Sequence, residues 1–342
     1  MSDQPLDIAI AGAGSWGTTL AVLLSENQHR VRLWARREAQ VSEMRGKRRN
    51  ERYLPGIEIP SGIEIISDLA SATADTDMVV LAVPTHTVRD VMTGLQIADR
   101  ALVVNTAKGL EEGTLARMTT VVADSGGLGG QRVLALLGPS HAEEVARHIP
   151  TSIVVAGEDP GACRRIQAAF ARPYFRVYTN SDVIGVEVAT ALKNAIAIAA
   201  GVIDGLGYGD NTKAALVTRG LAEISRLGAA LSAHPGTFSG LAGVGDLVVT
   251  CLSRHSRNRG VGEAIGRGKT LDEALAEMIM VAEGVRTTRA AVALGSRLGV
   301  ELPIIEMVHR VLFEGSDARE AVAELMTRPL RGEMAEEPER RS

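Results

Sequence analysis

The chain is short of aromatics, of cysteine and of any excess charge. Phe, Tyr and Trp make up 3% of its 342 residues, so a core must be built from Ala, Val, Leu and Ile. Cys163 and Cys251 are the only cysteines, too few for a disulfide framework and suited to a reducing compartment. A net charge of −4 gives no general attraction to nucleic acid or anionic membranes. Asp3 and Asp7 stand where a secretory signal would carry a basic flank and an apolar run. The expectation is a cytoplasmic protein with no nucleic-acid partner and no membrane insertion. There is no internal repeat or low-complexity segment.

What the chain does have is length and pattern. At 342 residues it should hold two domains, and its 45% apolar and 23% charged content is ordinary for a globular protein. Residues 7–11 read as a short buried strand, and Gly12-Ala13-Gly14-Ser15-Trp16-Gly17 follows at once, ahead of a helical run to about Asn27. This is G-x-G-x-x-G in its required setting. Gly12, Gly14 and Gly17 permit a tight turn and the close approach of a pyrophosphate to a helix N-terminus. The second strand, at 30–35, ends not in an acidic residue but in Arg36 and Arg37. Two guanidiniums there suit a 2′-phosphate, which favours NADP(H) over NAD(H); the alternative is two solvated loop charges. The basic run continues through Arg45, Lys47, Arg48, Arg49 and Arg52, with Tyr53 its only aromatic, unlike a nucleic-acid site.

Further strand-like runs lie at 63–66, 78–83, 101–105, 133–137, 153–156 and 175–178, mostly separated by helix-like segments. Such alternation predicts a doubly wound, mostly parallel Rossmann-type sheet with ligands at the carboxyl ends of its strands. Val83-Pro84-Thr85, Lys108-Gly109 and Gly138-Pro139-Ser140 each close a strand and should converge on one edge.

The run from 183 to 203 is almost wholly apolar, yet Lys193 and Asn194 stand at its middle. Ala and Leu favour a helix, no proline interrupts, and a helix apolar on every side belongs inside a protein. A membrane span fits by length, but Glu187 and Lys193 lie within it and no second span is expected. A lone buried ammonium is costly unless paired or neutralised, so Lys193 has a partner, a function or both. A snorkelling or merely ion-paired lysine is the bland alternative.

After Asn180 only helical patterns follow, at about 213–231, 260–266, 271–278, 284–298, 304–313 and 317–327. The expected organisation is an α/β dinucleotide-binding domain over 1–180, an all-α C-terminal domain over 181–330, and a disordered charged tail over 331–342. Within the helical half, 241–247 sets Asp246 among glycines and aliphatics, and 253–259 gathers Arg254, Arg257 and Arg259 with Ser256 and Asn258. That cluster is either a solvated face or an anion site at a helix start near Gly260, in which Arg257 and Asn258 hold a phosphate.

Together the strings 12–17, Gly-Pro-Ser-His-Ala (138–142), Ala-Leu-Lys-Asn (191–194), Leu-Ala-Gly-Val-Gly-Asp-Leu (241–247) and Ser-Arg-Asn-Arg (256–259) closely resemble the NAD(P)-dependent glycerol-3-phosphate dehydrogenases of the soluble bacterial type. The resemblance runs from Gly12 to about Leu325. It implies reversible hydride transfer between dihydroxyacetone phosphate and sn-glycerol 3-phosphate, feeding phospholipid synthesis, with no metal. It implies Lys193 as the proton donor and acceptor, and Lys108, Gly138, Ser140, Asp246, Ser256, Arg257 and Asn258 as the substrate shell. Ser15, Trp16, Arg36, Arg37, Ala142, Val281 and Glu283 are the implied cofactor contacts, with Lys108 and Arg257 shared. His141 departs from the pattern, since many members carry Phe there, and reads as a tolerated variant. Two rivals remain: a related 6-phosphogluconate or hydroxy-acid dehydrogenase, and a non-catalytic NAD(P)-sensing protein. A homodimer is expected from the apolar helices.

Overall fold

Alternation within the first strand sets the layering of the sheet. In β1 (Asp7–Ala11), Ile8 and Ile10 join one apolar cluster while Ala9 and Ala11 join another, because successive side chains point to opposite faces. The computed structural model describes residues 4–329 and Gly332. The expected 331–342 tail lies outside the described residues, Gly332 excepted. Nine more strands follow: β2 (Arg30–Trp34), β3 (Arg49–Asn50), β4 (Leu54–Glu58), β5 (Glu64–Ile66), β6 (Met78–Leu81), β7 (Leu102–Asn105), β8 (Val133–Leu137), β9 (Thr151–Ala156) and β10 (Phe175–Asn180).

Eight of them form one sheet in the order β10-β9-β8-β7-β6-β1-β2-β5, while β3 and β4 pair separately. Every neighbouring pair in the large sheet is parallel except β8 and β9. The chain moves outward from β1 to β2 and β5, then returns to β6 on the other side of β1. That reversal opens a crevice beyond the carboxyl ends of β1 and β6, the place where doubly wound sheets bind ligands.

No strand follows Asn180 among the described residues; the chain continues as helices around Val183–Gly205. Asp182 caps this central helix, accepting from Gly185 N at 2.9 Å and from Thr237 Oγ1 at 2.6 Å. Its residues from Gly185 to Ile198 are all buried. Glu187, one of the two charges in that run, is met by Arg117 NH1 at 2.7 Å and by the amide and hydroxyl of Thr119 at 2.8 and 2.6 Å. A second stretch, Pro235–Leu252, also passes the length and hydropathy test for a span, contrary to the expectation of none. It is broken into Pro235–Phe238, a π-helical turn at Leu241–Gly245, and Asp246–Leu252. The central helix, by contrast, has 89% of its window inside the protein.

Glycine decides how the helix Arg257–Gly266 meets the central one. A Cβ on Gly201 would lie 1.9 Å from the carbonyl oxygen of Arg259, and one on Gly262 would lie 1.9 Å from that of Ile198. The two backbones therefore touch, as in small-xxx-small helix pairs. The helix begins at Arg257 with Ser256 as its cap, three residues before the expected start near Gly260. Ser256 is a stronger cap than the glycines that suggested the later start.

Candidate active site

The crevice and the helical half together enclose a cleft of about 540 Å³. Of the residues expected at the site, all line it except Gly17 and Gly138, which act from behind its wall. Gly12 has φ +124°, and a Cβ there would strike the Ala82 carbonyl at 2.5 Å. A Cβ on Gly17 would meet the Gly12 carbonyl at 1.8 Å, whereas one on Gly14 meets nothing within 4 Å. The turn is thus pressed onto the sheet on one side and open on the other. Helix Ser15–Glu26 begins there with no side-chain cap, so its first N–H groups face the cleft, the environment a pyrophosphate requires. Arg36 and Arg37 lie at the mouth beyond β2. Arg37 donates to Gln40 at 3.2 Å and to Tyr53 at 3.4 Å, while Arg36 has no ion pair among the described residues. The residues present fit a dinucleotide.

At the other end stands Lys193, only 4% exposed. Its ammonium donates to Asp246 Oδ1 at 2.7 Å and to Thr250 Oγ1 at 2.6 Å. Asp246 and Thr250 are four residues apart on helix Asp246–Leu252, hence neighbours on one face. The second carboxylate oxygen of Asp246 accepts from Lys108 at 3.0 Å, and Lys108 also donates to the Gly138 carbonyl at 2.6 Å. Gly138 thereby serves through its backbone, which Ser140 Oγ also reaches at 3.0 Å. Burial pushes the Lys193 ammonium down to about 8, with Asp246 opposing and Lys108 adding to the effect. Burial alone would raise the Asp246 carboxyl, but Lys108 and Lys193 outweigh it and hold it below its ordinary range.

The next residue on the central helix, Asn194, turns to a different neighbour. Its Oδ1 accepts from Asn258 Nδ2 at 2.9 Å, and its own amide donates to the Lys108 carbonyl at 3.2 Å. Asn258 Oδ1 in turn accepts from Gly284 N at 2.9 Å. This amide chain ties the loop after β7, the central helix, helix Arg257–Gly266 and helix Glu283–Leu298. Ser256 Oγ accepts from Arg259 N at 3.2 Å, and Arg257, exposed at the first helical position, donates to the Val281 carbonyl at 2.9 Å. Glu283 reaches across the cleft to Thr85, accepting from its amide at 3.1 Å and from its hydroxyl. Ser15 Oγ lies 3.5 Å from Met280 Sδ, and the Ala142 carbonyl accepts from Thr19 at 3.2 Å. Trp16 packs against Phe175 with ring centroids 6.4 Å apart.

Sequence reasoning missed Thr250, which no motif contained; its signal was the i, i+4 spacing from Asp246. It also left Asn194 and Thr85 without a role. Arg45 and Arg48 belong to no site, since they turn back onto the carbonyls of Ile65 and of Ile59 and Ile63.

A buried ammonium held by a carboxylate and a hydroxyl, at the mouth of a dinucleotide cradle, can deliver a proton to a carbonyl being reduced. Comparison with known proteins points the same way. Residues 7–163 match the NAD-dependent glycerol-3-phosphate dehydrogenase N-terminus and residues 182–323 the C-terminus. Glycerol-3-phosphate dehydrogenase (NAD(P)+) of Geobacillus kaustophilus (strain HTA426) is 54% identical over 331 residues, 96% of each chain. The crystal structure of glycerol-3-phosphate dehydrogenase from Coxiella burnetii aligns with a TM-score of 0.89 at 37% identity, covering 95% of this chain and 99% of that one. A ketopantoate reductase family structure from Ralstonia eutropha JMP134 shares the fold alone, with a TM-score of 0.60 at 16% identity over 93% and 99% of the two chains. From Gly12 through the helical half, this chain therefore belongs to the NAD-dependent glycerol-3-phosphate dehydrogenase family, an oxidoreductase that works with NAD(P) on a small-molecule substrate.

Proposed function

We propose that the chain reduces dihydroxyacetone phosphate reversibly to sn-glycerol 3-phosphate, with NADP(H) favoured and Lys193 as the general acid and base. The observation that carries this reading is the hydrogen-bond count at Lys193. An ammonium has three N–H donors; two are directed at Asp246 Oδ1 and Thr250 Oγ1, and the third is left for a substrate oxygen in the cleft.

When bound, the nicotinamide supplies the hydride that adds to the ketone carbon. Lys193 donates its proton to the carbonyl oxygen as negative charge grows there, a contribution of roughly 10²- to 10⁴-fold. Asp246 orients the ammonium, and Lys108 keeps that carboxylate ionised. A titration near 8 lets Lys193 give the proton in reduction and take it back in oxidation. Arg257 and the free N–H of Asn258 hold the substrate phosphate at the start of their helix. Arg36 and Arg37 take the cofactor 2′-phosphate, and Glu283, Val281 and Ala142 border its nicotinamide end.

The reading extends to the rest of the molecule. Residues 1–180 form the dinucleotide-binding domain and 181–330 the substrate domain, in keeping with the last strand ending at Asn180. Buried free Cys163 and Cys251 support a cytoplasmic setting, and the product would supply glycerophospholipid synthesis. Exposed Val248, Leu252 and Met326 support a homodimer. The test is NADPH oxidation with dihydroxyacetone phosphate against a panel of keto acids, with NADP+ reduction by 6-phosphogluconate assayed alongside. Faster turnover of any keto acid would favour the hydroxy-acid rival, and no turnover at all the sensing protein.

A further inference from the structure

His141 lies among charged and polar groups, within the fields of Lys108, Lys193 and Asp246 and against the ring of His255. It caps helix Ala142–Val145 without a side-chain hydrogen bond and lines the same cleft as Lys193 and Arg257. Its ring tilts against His255 with centroids 5.8 Å apart, and His255 immediately precedes Ser256, Arg257 and Asn258. Of its two nitrogens, Nε2 alone is sealed from solvent without a partner, which leaves Nδ1 as the nitrogen on the open side. Burial and then the charges of Lys108 and Lys193 push the ring down to about 4, so it is neutral at pH 7 and carries one N–H. A phosphate oxygen can only accept, so a phosphate facing the open nitrogen selects the tautomer with the proton on Nδ1.

We propose that His141 is a substrate contact, donating from Nδ1 to a phosphate oxygen of the ketone and so sharpening the preference for phosphorylated over free ketone. This rests on the dihydroxyacetone phosphate reading above. The ring belongs to the phosphate end because its aromatic partner, His255, is the residue that leads into the Ser256–Asn258 cluster. A phenylalanine at 141 would fill the same space and give no donor.

The experiment compares the full chain with His141→Phe and His141→Asn, using NADPH and either dihydroxyacetone phosphate or free dihydroxyacetone, with inorganic phosphate as a competitive inhibitor. His141→Phe should raise KM for the phosphorylated ketone and Ki for phosphate about tenfold, the size of one charge-assisted hydrogen bond. Its kcat, its KM for NADPH and its KM for dihydroxyacetone should stay within about twofold. His141→Asn, which keeps a donor, should recover part of the loss. An unchanged KM and Ki in His141→Phe would overturn the proposal and make the ring a filler. Equal rises for both ketones would overturn it too, placing the contact at the carbonyl end. Circular dichroism separates these outcomes from misfolding, and should His141→Phe not fold, a His141→Asn variant with unchanged KM and a tenfold loss in its own Ala counterpart, His141→Ala, supports the contact, while unchanged values in both overturn it. Failure of the unsubstituted chain to turn over dihydroxyacetone phosphate would sink the functional reading instead, which the variants do not touch.

Discussion

Lys193 and Asp246, 53 residues apart in the chain, meet at 2.7 Å with 4% and 1% of their surfaces exposed. The carboxylate offsets the cost of burying the ammonium, and Lys108 at 3.0 Å gives the same carboxylate a second cation. Lys193→Met, a side chain of similar length without charge, should lower kcat by roughly 10²- to 10⁴-fold and leave NADPH binding near wild type by fluorescence titration. A comparable kcat would remove Lys193 from the chemistry. With Lys193 as the proposed proton donor, ketone reduction should fall as pH rises through its pKa. Asp246 raises that pKa, so Asp246→Asn should move the falling limb of the kcat profile to lower pH. A limb that stays put, or moves up, contradicts the pairing.

The proposed preference for NADP(H) rests on Arg36 and Arg37 at the mouth of the cleft. Arg36→Ala combined with Arg37→Ala should weaken NADPH by about tenfold or more and NADH by no more than about twofold, since only NADPH has the extra phosphate for a guanidinium fork. Dissociation constants for both reduced cofactors decide it. Equal losses would return the arginines to a solvated face.

The helix crossing predicts two opposite outcomes for one kind of substitution. Gly201→Ala drives a Cβ to 1.9 Å from the Arg259 carbonyl, and should destabilise by about 1–3 kcal/mol while raising KM for dihydroxyacetone phosphate. Gly260 lies on the same helix Arg257–Gly266, yet a Cβ there meets nothing within 4 Å. Gly260→Ala should be neutral or stabilising by about 0.5–1 kcal/mol. Urea unfolding of the two variants checks both, and equal destabilisation would mean that the crossing is looser than it looks.

Stability should also depend on pH through Glu223, which is buried and accepts from the amides of Ile304 and Ile305 at 2.7 and 3.2 Å. Burial raises its carboxyl to about 7, against the lowering effect of those two bonds. The folded state therefore holds this proton more tightly than the unfolded one, so the contribution of Glu223 to stability is greatest below pH 4.5 and declines as pH climbs to about 7. The decline amounts to about 3 kcal/mol for this group. Glu223→Gln should flatten the fall in Tm between these pH values; an unchanged slope would assign the dependence elsewhere.

The parts of the molecule legible in the sequence were those with a local signature. The runs at 78–83 and 133–137 became β6 and β8 within a few residues, because fully buried strands are continuous aliphatic runs, while β10 at the sheet edge showed as alternating buried and exposed residues. The cradle was legible because Gly12 and Gly17 answer to backbone crowding that no other residue permits, while Gly14 keeps the ligand side open. Helix Asp246–Leu252 went unread, since the glycines of the preceding π-helical turn mask its start. The antiparallel pairing of β8 with β9 depends on how β9 docks against the sheet, and no local pattern reports it; β3 and β4 are close in the chain, but β3 is too short and its register too irregular to leave a readable run. The same holds for the site: Lys193 stood out as a charge in an apolar run, whereas its second partner Thr250 became visible only once two helices were side by side.

The backbone contact at Gly201 and Gly262 has a consequence for which molecules the enzyme will accept. Lys193 and Arg257, which we propose meet the carbonyl and the phosphate, are thereby mounted on one stiff bracket, so the spacing between them is a gauge of fixed length. A ketone with its phosphate one carbon further away can satisfy either end of that gauge, and not both.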